Sequence, residues 1–210
     1  MKKFLSVLIC LFICQNISFG FVKNEKAKVY QPEQYQEITD RANAFYAQND
    51  IKNAEELLLT IPEVKRTPQN WLILGNILAD KGKTNEAEFM YRKALNFDNT
   101  FYKAHYNLGV LYLAQDKPNM AITELKEVTK LKPDYAYGHY NLGCAYLKTG
   151  KISKAKFEFF LATDYNKSEP DFYYNLAYVY KKLNKEKTAK EYLDLYNKLA
   201  EKEYVQGNNF

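Results

Sequence analysis

Two histidines, His105 and His139, and three cysteines, Cys10, Cys14 and Cys144, are the side chains best suited to metal binding or nucleophilic chemistry. The histidines stand one 34-residue interval apart with no third ligand beside either, which is too few donors for a zinc site. Cys144 lies between Gly143 and Ala145, without a second cysteine or a local basic cluster to favour the thiolate, so it reads as a small packing residue. A Gly-rich phosphate loop, a G-x-S-x-G elbow, an H-E-x-x-H pair and a C-x-x-C pair are missing from the sequence, so neither an enzyme nor a cofactor is expected. The remaining chemistry is that of amides and phenols. Tyr106-Asn107, Tyr140-Asn141 and Tyr174-Asn175 repeat one dipeptide at one spacing. A carboxamide both donates and accepts hydrogen bonds, and a tyrosine offers flat apolar area with little rotamer entropy to lose. Those groups suit the grip of an extended polypeptide.

The spacing belongs to a larger pattern. Trp71-x-x-Leu74-Gly75, His105-x-x-Leu108-Gly109, His139-x-x-Leu142-Gly143 and Tyr173-x-x-Leu176-Ala177 fall in register, and Ala87, Ala121, Ala155 and Ala189 each follow twelve residues after the small residue. Counted from Pro68, Tyr102, Ala136 and Pro170, position 11 is Leu78, Tyr112, Tyr146 and Tyr180, and position 24 is Tyr91, Leu125, Phe159 and Leu193. Position 15 is Gly82, Asp116, Gly150 and Asn184, residue types that tolerate the left-handed conformation closing a helix. Each unit therefore reads as helix, tight turn, helix. A fixed period of this length predicts a stacked array, because one helical pair cannot bury its apolar face alone. Thr67 before Pro68 and Ser168 before Pro170 read as N-caps, Pro118 opens a second helix, and Pro133-Asp134 separates two units.

This pattern resembles the tetratricopeptide repeat, whose W-x2-L-G-x2-Y, A-x3-F and terminal P occur here with ordinary substitutions. Residues 68–101, 102–135, 136–169 and 170–203 match it as four repeats, followed by a tail at 204–210. Residues 35–67 fit as a degenerate first repeat, with Ala42 at the small position, Phe45 at the aromatic one, Asn49 at the turn, Ala54 on the second helix and Leu58 at the large apolar site. Arg41 replaces the expected leucine there and Pro62 ends the second helix early, as suits a terminal unit with one solvated face. The expected fold is all-α, a right-handed α-solenoid of about five antiparallel helix pairs.

The resemblance implies that the first helices line a concave groove with positions 2, 5, 6, 9, 12 and 13. Those positions give a peptide-binding set of Asn76, Lys103, Tyr106, Asn107, Tyr137, Tyr140, Asn141, Tyr174, Asn175 and Tyr178, with Lys148, Lys181 and Lys182 near the edges. In the same family the tyrosine at position 5 and the asparagine at position 6 also serve helix packing. The Lys/Asn clamp by which some members grip a C-terminal carboxylate is not present as a set, because Thr39, Leu72 and Tyr140 stand where lysines are needed or helpful.

The N-terminus is of another kind. Lys2-Lys3, an apolar run from Phe4 to Cys14 and the polar break Gln15-Asn16 read as a signal peptide over 1–20, with Ser18-Phe19-Gly20 before the expected cleavage and Phe21 as the mature start. An uncleaved anchor and lipidation at Cys14 or Cys10 are the alternatives; the run is short for a span of about 20 apolar residues. Cleavage leaves Cys144 as the single cysteine, so no disulfide framework is expected. The charge of +5 is small and its basic residues are interspersed with acids, which gives no footprint for nucleic acid. A polar linker over 21–34 precedes the array. The expectation is an exported, periplasmic, non-enzymatic module that holds an extended or helical segment of a partner protein in its groove. The alternative is a structural, self-associating component of an envelope complex acting through the convex face and the array ends, its groove filled by segment 21–34 or by another copy.

Overall fold

The computed structural model describes residues 32–207, with side chains described as far as residue 201; the signal-like segment 1–20 and residues 21–31 of the linker lie outside the described residues. Ten α-helices follow one another among them: α1 (Pro32–Ala47), α2 (Ile51–Thr60), α3 (Pro68–Asp80), α4 (Thr84–Phe97), α5 (Tyr102–Ala114), α6 (Pro118–Leu131), α7 (Ala136–Lys148), α8 (Ile152–Tyr165), α9 (Pro170–Lys182) and α10 (Glu186–Gly207). A short 3₁₀ turn at Glu63–Lys65 separates α2 from α3. From α3 onward each odd-numbered helix pairs with the next, and each pair stacks on the following one, giving an all-α solenoid of helix pairs.

The turns within the pairs are built alike. Asn49, Gly82, Asp116, Gly150 and Asn184 all have positive φ, between 54° and 72°. At each, the next backbone N–H bonds the carbonyl five residues back: Asp50 to Phe45, Lys83 to Leu78, Lys117 to Tyr112, Lys151 to Tyr146 and Lys185 to Tyr180, at 2.8–3.0 Å. These are 6→1 helix closures, and they need the left-handed residue between.

Helices within a pair approach most closely at position 8. A Cβ on Gly143 would lie 2.7 Å from the Phe159 ring, and one on Gly109 would lie 2.5 Å from Leu125 Cγ; Gly75 stands against Tyr91 in the same way. Tyr91, Leu125 and Phe159 are buried in consequence, together with Ala54, Ala87, Ala121 and Ala155 on the second helices. In the first pair Ala42 and Leu58 occupy the equivalent sites and are fully buried.

Adjacent pairs are held in register by the ring at position 4. His105 Nδ1 bonds Glu124 Oε2 at 2.7 Å and its Nε2 bonds the Asn99 carbonyl at 3.1 Å. His139 repeats this with Glu158 at 2.7 Å and the Pro133 carbonyl at 2.8 Å, and Tyr173 Oη donates to the Lys167 carbonyl at 3.1 Å. Each carbonyl lies at position 32 of the preceding unit. Both neighbours of each imidazole, a carboxylate and a peptide oxygen, can only accept, so both ring nitrogens must carry protons. The Glu124 hydrogen bond raises the His105 pKa above its ordinary value; burial opposes the charge on His139, but the bonds to Glu158 and Pro133 still hold its pKa up. These residues are thus ion-paired junction clamps rather than the plain packing side chains that their alignment with Trp71 and Tyr173 suggests. Trp71 Nε1, buried beneath the Arg66 guanidinium at 4.9 Å, has no acceptor among the described residues.

Three boundaries differ from the sequence expectation. Helix α1 begins at Pro32 rather than at residue 35, since proline is well placed in a first turn and Glu33 complements the positive helix end. Helix α10 continues through the expected tail to Gly207, because Glu201-Lys-Glu-Tyr-Val-Gln206 contains no stop signal. Ser168 does not cap α9. Its N–H and hydroxyl both donate to Asn166 Oδ1, at 3.1 and 2.7 Å, in a local turn, and Glu169 takes the cap position without a side-chain bond. Thr67 does cap α3, in a reciprocal box with Asn70, and Pro118 does open α6.

This packing has two measurable consequences. Gly143→Leu drives a side chain into Phe159 and should destabilise the array by about 1–3 kcal/mol, read as a lower midpoint in thermal melts followed by circular dichroism. A histidine whose folded pKa is raised adds stability that is complete below its unfolded pKa of about 6.5 and is lost as pH rises through the folded value. The melting temperature should therefore fall from pH 6 to pH 9, and the double variant His105→Gln/His139→Gln should flatten that dependence.

Candidate functional site

The first helices α3, α5, α7 and α9 place positions 2, 5, 6 and 9 along one face, and exposure at position 5 is greatest in the last repeat. Leu72, at position 5 of its repeat, is buried; Tyr106 and Tyr140 at the same position are half-buried; Tyr174 is 51% exposed. Tyr137 and Tyr178 are exposed at 40% and 41%. Lys103, Lys181 and Lys182 stand exposed around this face, and Lys148, also exposed, pairs with Asp116 at 2.8 Å. Thr39, which the clamp comparison singles out, is buried instead and accepts a 2.7 Å bond from Asn70 Nδ2.

The asparagines form a ladder directed from one repeat to the one before it. Asn107 Nδ2 donates to Asn76 Oδ1 at 2.6 Å, and Tyr91 Oη donates to the same oxygen at 2.9 Å. One step on, Asn141 Nδ2 bonds Tyr106 Oη at 3.1 Å and the Tyr137 carbonyl at 3.0 Å. Asn175 Nδ2 does the same with Tyr140 Oη at 2.9 Å and the Asp171 carbonyl at 3.2 Å. An amide nitrogen has two protons, so both donors of Asn141 and Asn175 are engaged within the array. The carboxamide oxygens remain as acceptors.

A cleft of about 380 Å³ opens where α3 meets α5, with Tyr46, Asn76, Asp80, Asn107 and Val110 among its walls. Tyr46 Oη donates to Asp80 Oδ2 at 2.7 Å across its rim. Burial is the main cause of the raised Tyr46 pKa, with the Asp80 carboxylate adding to it, so the phenol stays protonated. Tyr46, Asp80 and Val110 are absent from the sequence-derived set; Tyr46 and Asp80 are one period apart, which is the signal that pairs them. Downstream, aromatic contacts fill the face: Phe172 stacks on Tyr140 with centroids 4.8 Å apart, and Tyr106 meets Tyr135 edge-on at 5.2 Å. Tyr137 Oη donates to Glu169 at 2.6 Å, and that bond, with some burial, pushes its pKa up to about 12. Cys144 is half-buried, and burial pushes its thiol up to about 11, so it is protonated at neutral pH.

This geometry changes what the asparagine ladder does when it is removed. Replacing Asn107, Asn141 and Asn175 together with alanine takes away three repeat-to-repeat bonds and should lower stability by about 0.5–1.5 kcal/mol for each. Urea melts of the triple variant check it; an unchanged midpoint would mean that these bonds contribute nothing to the array.

Family profiles described as "TPR repeat" match residues 75–116 and 118–150, and those described as "Tetratricopeptide repeat" match residues 136–168 and 170–203. Among curated proteins the chain is similar to the human protein O-mannosyl-transferase TMTC3, at 32% identity over 84 residues, which is 40% of this chain and 9% of that protein's length. Among solved structures it resembles MamA of Desulfovibrio magneticus RS-1, with a TM-score of 0.70 and 22% identity over 81% of this chain and 96% of that one. It also resembles Pseudomonas aeruginosa pilF, with a TM-score of 0.73 and 21% identity over 80% of this chain and 77% of that one. At such identities the structural likenesses speak for the fold alone. The matched repeats, the shared solenoid and the helix-turn-helix period together make this chain a member of the tetratricopeptide repeat family, a repeat scaffold for protein interaction.

Proposed function

We propose that this scaffold works in the cell envelope and holds an extended or helical segment of a partner protein against its first-helix face. The observation that carries the reading is the row of tyrosines Tyr137, Tyr174 and Tyr178, exposed by 40–51% on the first-helix face. Exposed phenol rings on a rigid support offer apolar area at low entropic cost. The carboxamide oxygens of Asn141 and Asn175 accept hydrogen bonds from a ligand backbone, while Lys103 favours acidic side chains near its edge. The signal-like segment over 1–20 supports export, and periplasmic location is part of the same proposal.

A second reading, assembly of an envelope complex through the opposite face, is favoured by Phe89, Phe157 and Phe160 on α4 and α8, which are 48–58% exposed. The mass of the protein in solution, with and without residues 21–34, tests self-association.

The double variant Val110→Glu/Tyr137→Ala alters two exposed residues of the first-helix face and should remain helical by circular dichroism at the assay temperature, although loss of the Tyr137–Glu169 bond lowers its melting temperature. It should lose proteins that the wild type captures from an envelope extract, by tenfold or more in yield measured by quantitative mass spectrometry. Equal capture by the two proteins would move binding off this face.

A further inference from the structure

The last described pair, α9 and α10, carries a surface that is covered in the interior pairs α3/α4, α5/α6 and α7/α8. In each interior pair the groove between the two helices is closed by the first helix of the next repeat: α5 closes α3/α4, α7 closes α5/α6 and α9 closes α7/α8. At the first of these steps α5 brings Asn107, Val110, Leu111 and Ala114, an i, i+3, i+4, i+7 stripe, to the cleft they share with Asn76 and Tyr91, and Asn107 bonds Asn76 across it. The residues below such a helix are buried: Tyr91 is 3% exposed and Leu125 and Phe159 are fully buried. After α9, helix α10 runs unbroken to Gly207, past the position at which the next unit's first helix would begin, and no further helix covers the pair among the described residues. Its Leu193, at the same position 24, is 40% exposed. A trough of about 300 Å³ is left between α9 and α10, floored by Tyr174, Ala177, Ala189 and Leu193. Tyr106 and Tyr140 each accept an asparagine amide from the following repeat, whereas Tyr174 packs on Tyr196 of its own pair, with ring centroids 5.3 Å apart.

The rim distinguishes this trough from its interior counterparts. Position 12 is Ala79, Leu113 and Leu147 in the earlier repeats and Lys181 here; position 21 is Glu88, Ile122 and Lys156 and then Lys190. Lys181 and Lys190 both line the trough, where Glu186 is the one acid. A second copy fits poorly. The same face of another molecule brings lysines against lysines, and the exposed side of α1 presents Gln36, Glu37, Asp40 and Arg41, which are polar groups against an apolar floor.

From the interior repeats and this basic rim we infer that the trough between α9 and α10 docks one amphipathic helix of a partner protein, which completes the array as a sixth first helix. That helix carries an amide side chain that donates to Tyr174 Oη, apolar residues three and four positions on that cover Leu193, a small residue at the seventh, and acidic residues that face Lys181 and Lys190. The trough shares Tyr174 and Tyr178 with the exposed tyrosine row of the first-helix face, whereas Val110 and Tyr137 lie outside it.

The test uses a fluorescein-labelled peptide with the sequence of Tyr102–Gln115 and two glutamates added at each end, titrated with the full chain and followed by anisotropy. Saturable binding is expected, weakened at least tenfold by Leu193→Asp and by Lys181→Glu/Lys190→Glu, weakened also by added salt, and unchanged in Val110→Glu/Tyr137→Ala. Circular dichroism verifies that the variants remain helical, and the two independent trough variants guard against misfolding of either. Absence of saturable binding to the wild type overturns the inference and makes the trough a solvated cap only. Equal binding by both trough variants also overturns it, as does a wild-type dimer that Leu193→Asp dissociates, which assigns the trough to a second copy. Capture through the part of the first-helix face outside the trough is read separately with the Val110→Glu/Tyr137→Ala variant, so failure of that reading and failure of this inference are distinguishable.

Discussion

The side chain at position 24 occupies the volume that a glycine or alanine leaves free at position 8, and the spacing of the described helix pairs follows from that contact. Tyr91 over Gly75, Leu125 over Gly109 and Phe159 over Gly143 are chemically different fillings of one geometry. With the two axes brought this close, the alanine at position 20 is buried without a gap, and positions 4 and 23 come within hydrogen-bonding reach across the pair. The His105–Glu124 and His139–Glu158 bonds depend on that approach. So does the direction of the first helices, which sets the tyrosines of one face side by side.

Between pairs the structure relies on polar bonds as well as on apolar burial. The position-4 rings reach back to a carbonyl of the preceding unit, and the position-6 amides reach back to a phenol or an amide of it. A third connection runs over the other side of the array, where Arg92 Nη2 and Glu88 Oε1 of α4 both meet Tyr112 Oη of α5 at 2.6 Å. Apolar contact alone permits neighbouring pairs to slide; directional bonds at three separate places on the interface do not. The same economy limits the binding face, since an asparagine whose protons are engaged internally meets a ligand with its oxygen only.

What was legible in the sequence was whatever recurs locally. The small residue at position 8, the left-handed residue at position 15 and the threonine cap at Thr67 each express a requirement of a few neighbouring residues, and each is met where the register puts it. Asn141 and Tyr106 lie 35 residues apart, and nothing in either residue type says whether the amide turns to its neighbour or to solvent; the register names the pair but not the bond. The His–Glu clamps were within reach of the sequence, because histidine at position 4 is matched by glutamate at position 23 in both repeats that carry it, whereas Trp71 and Tyr173 are matched by Met90 and Tyr192. Ser168 misled because a serine before a helix has a competitor when an asparagine stands two residues earlier. The exposed Leu193 is invisible to periodicity, which marks a large apolar site without saying whether anything comes to cover it.

The clamp from a position-4 ring to a carbonyl at position 32 measures the junction between units in whole residues. Lengthening a junction by one residue displaces the start of the following helix from the preceding turn and carries the ring away from its oxygen. The first junction illustrates the case: its unit spans 33 residues and passes through Pro62 and a 3₁₀ turn, and Trp71 Nε1 finds no oxygen there among the described residues. An array built this way has a discrete grammar of length. It accepts the gain or loss of a complete 34-residue unit, which restores every junction, more readily than the insertion of a single amino acid, which spoils one.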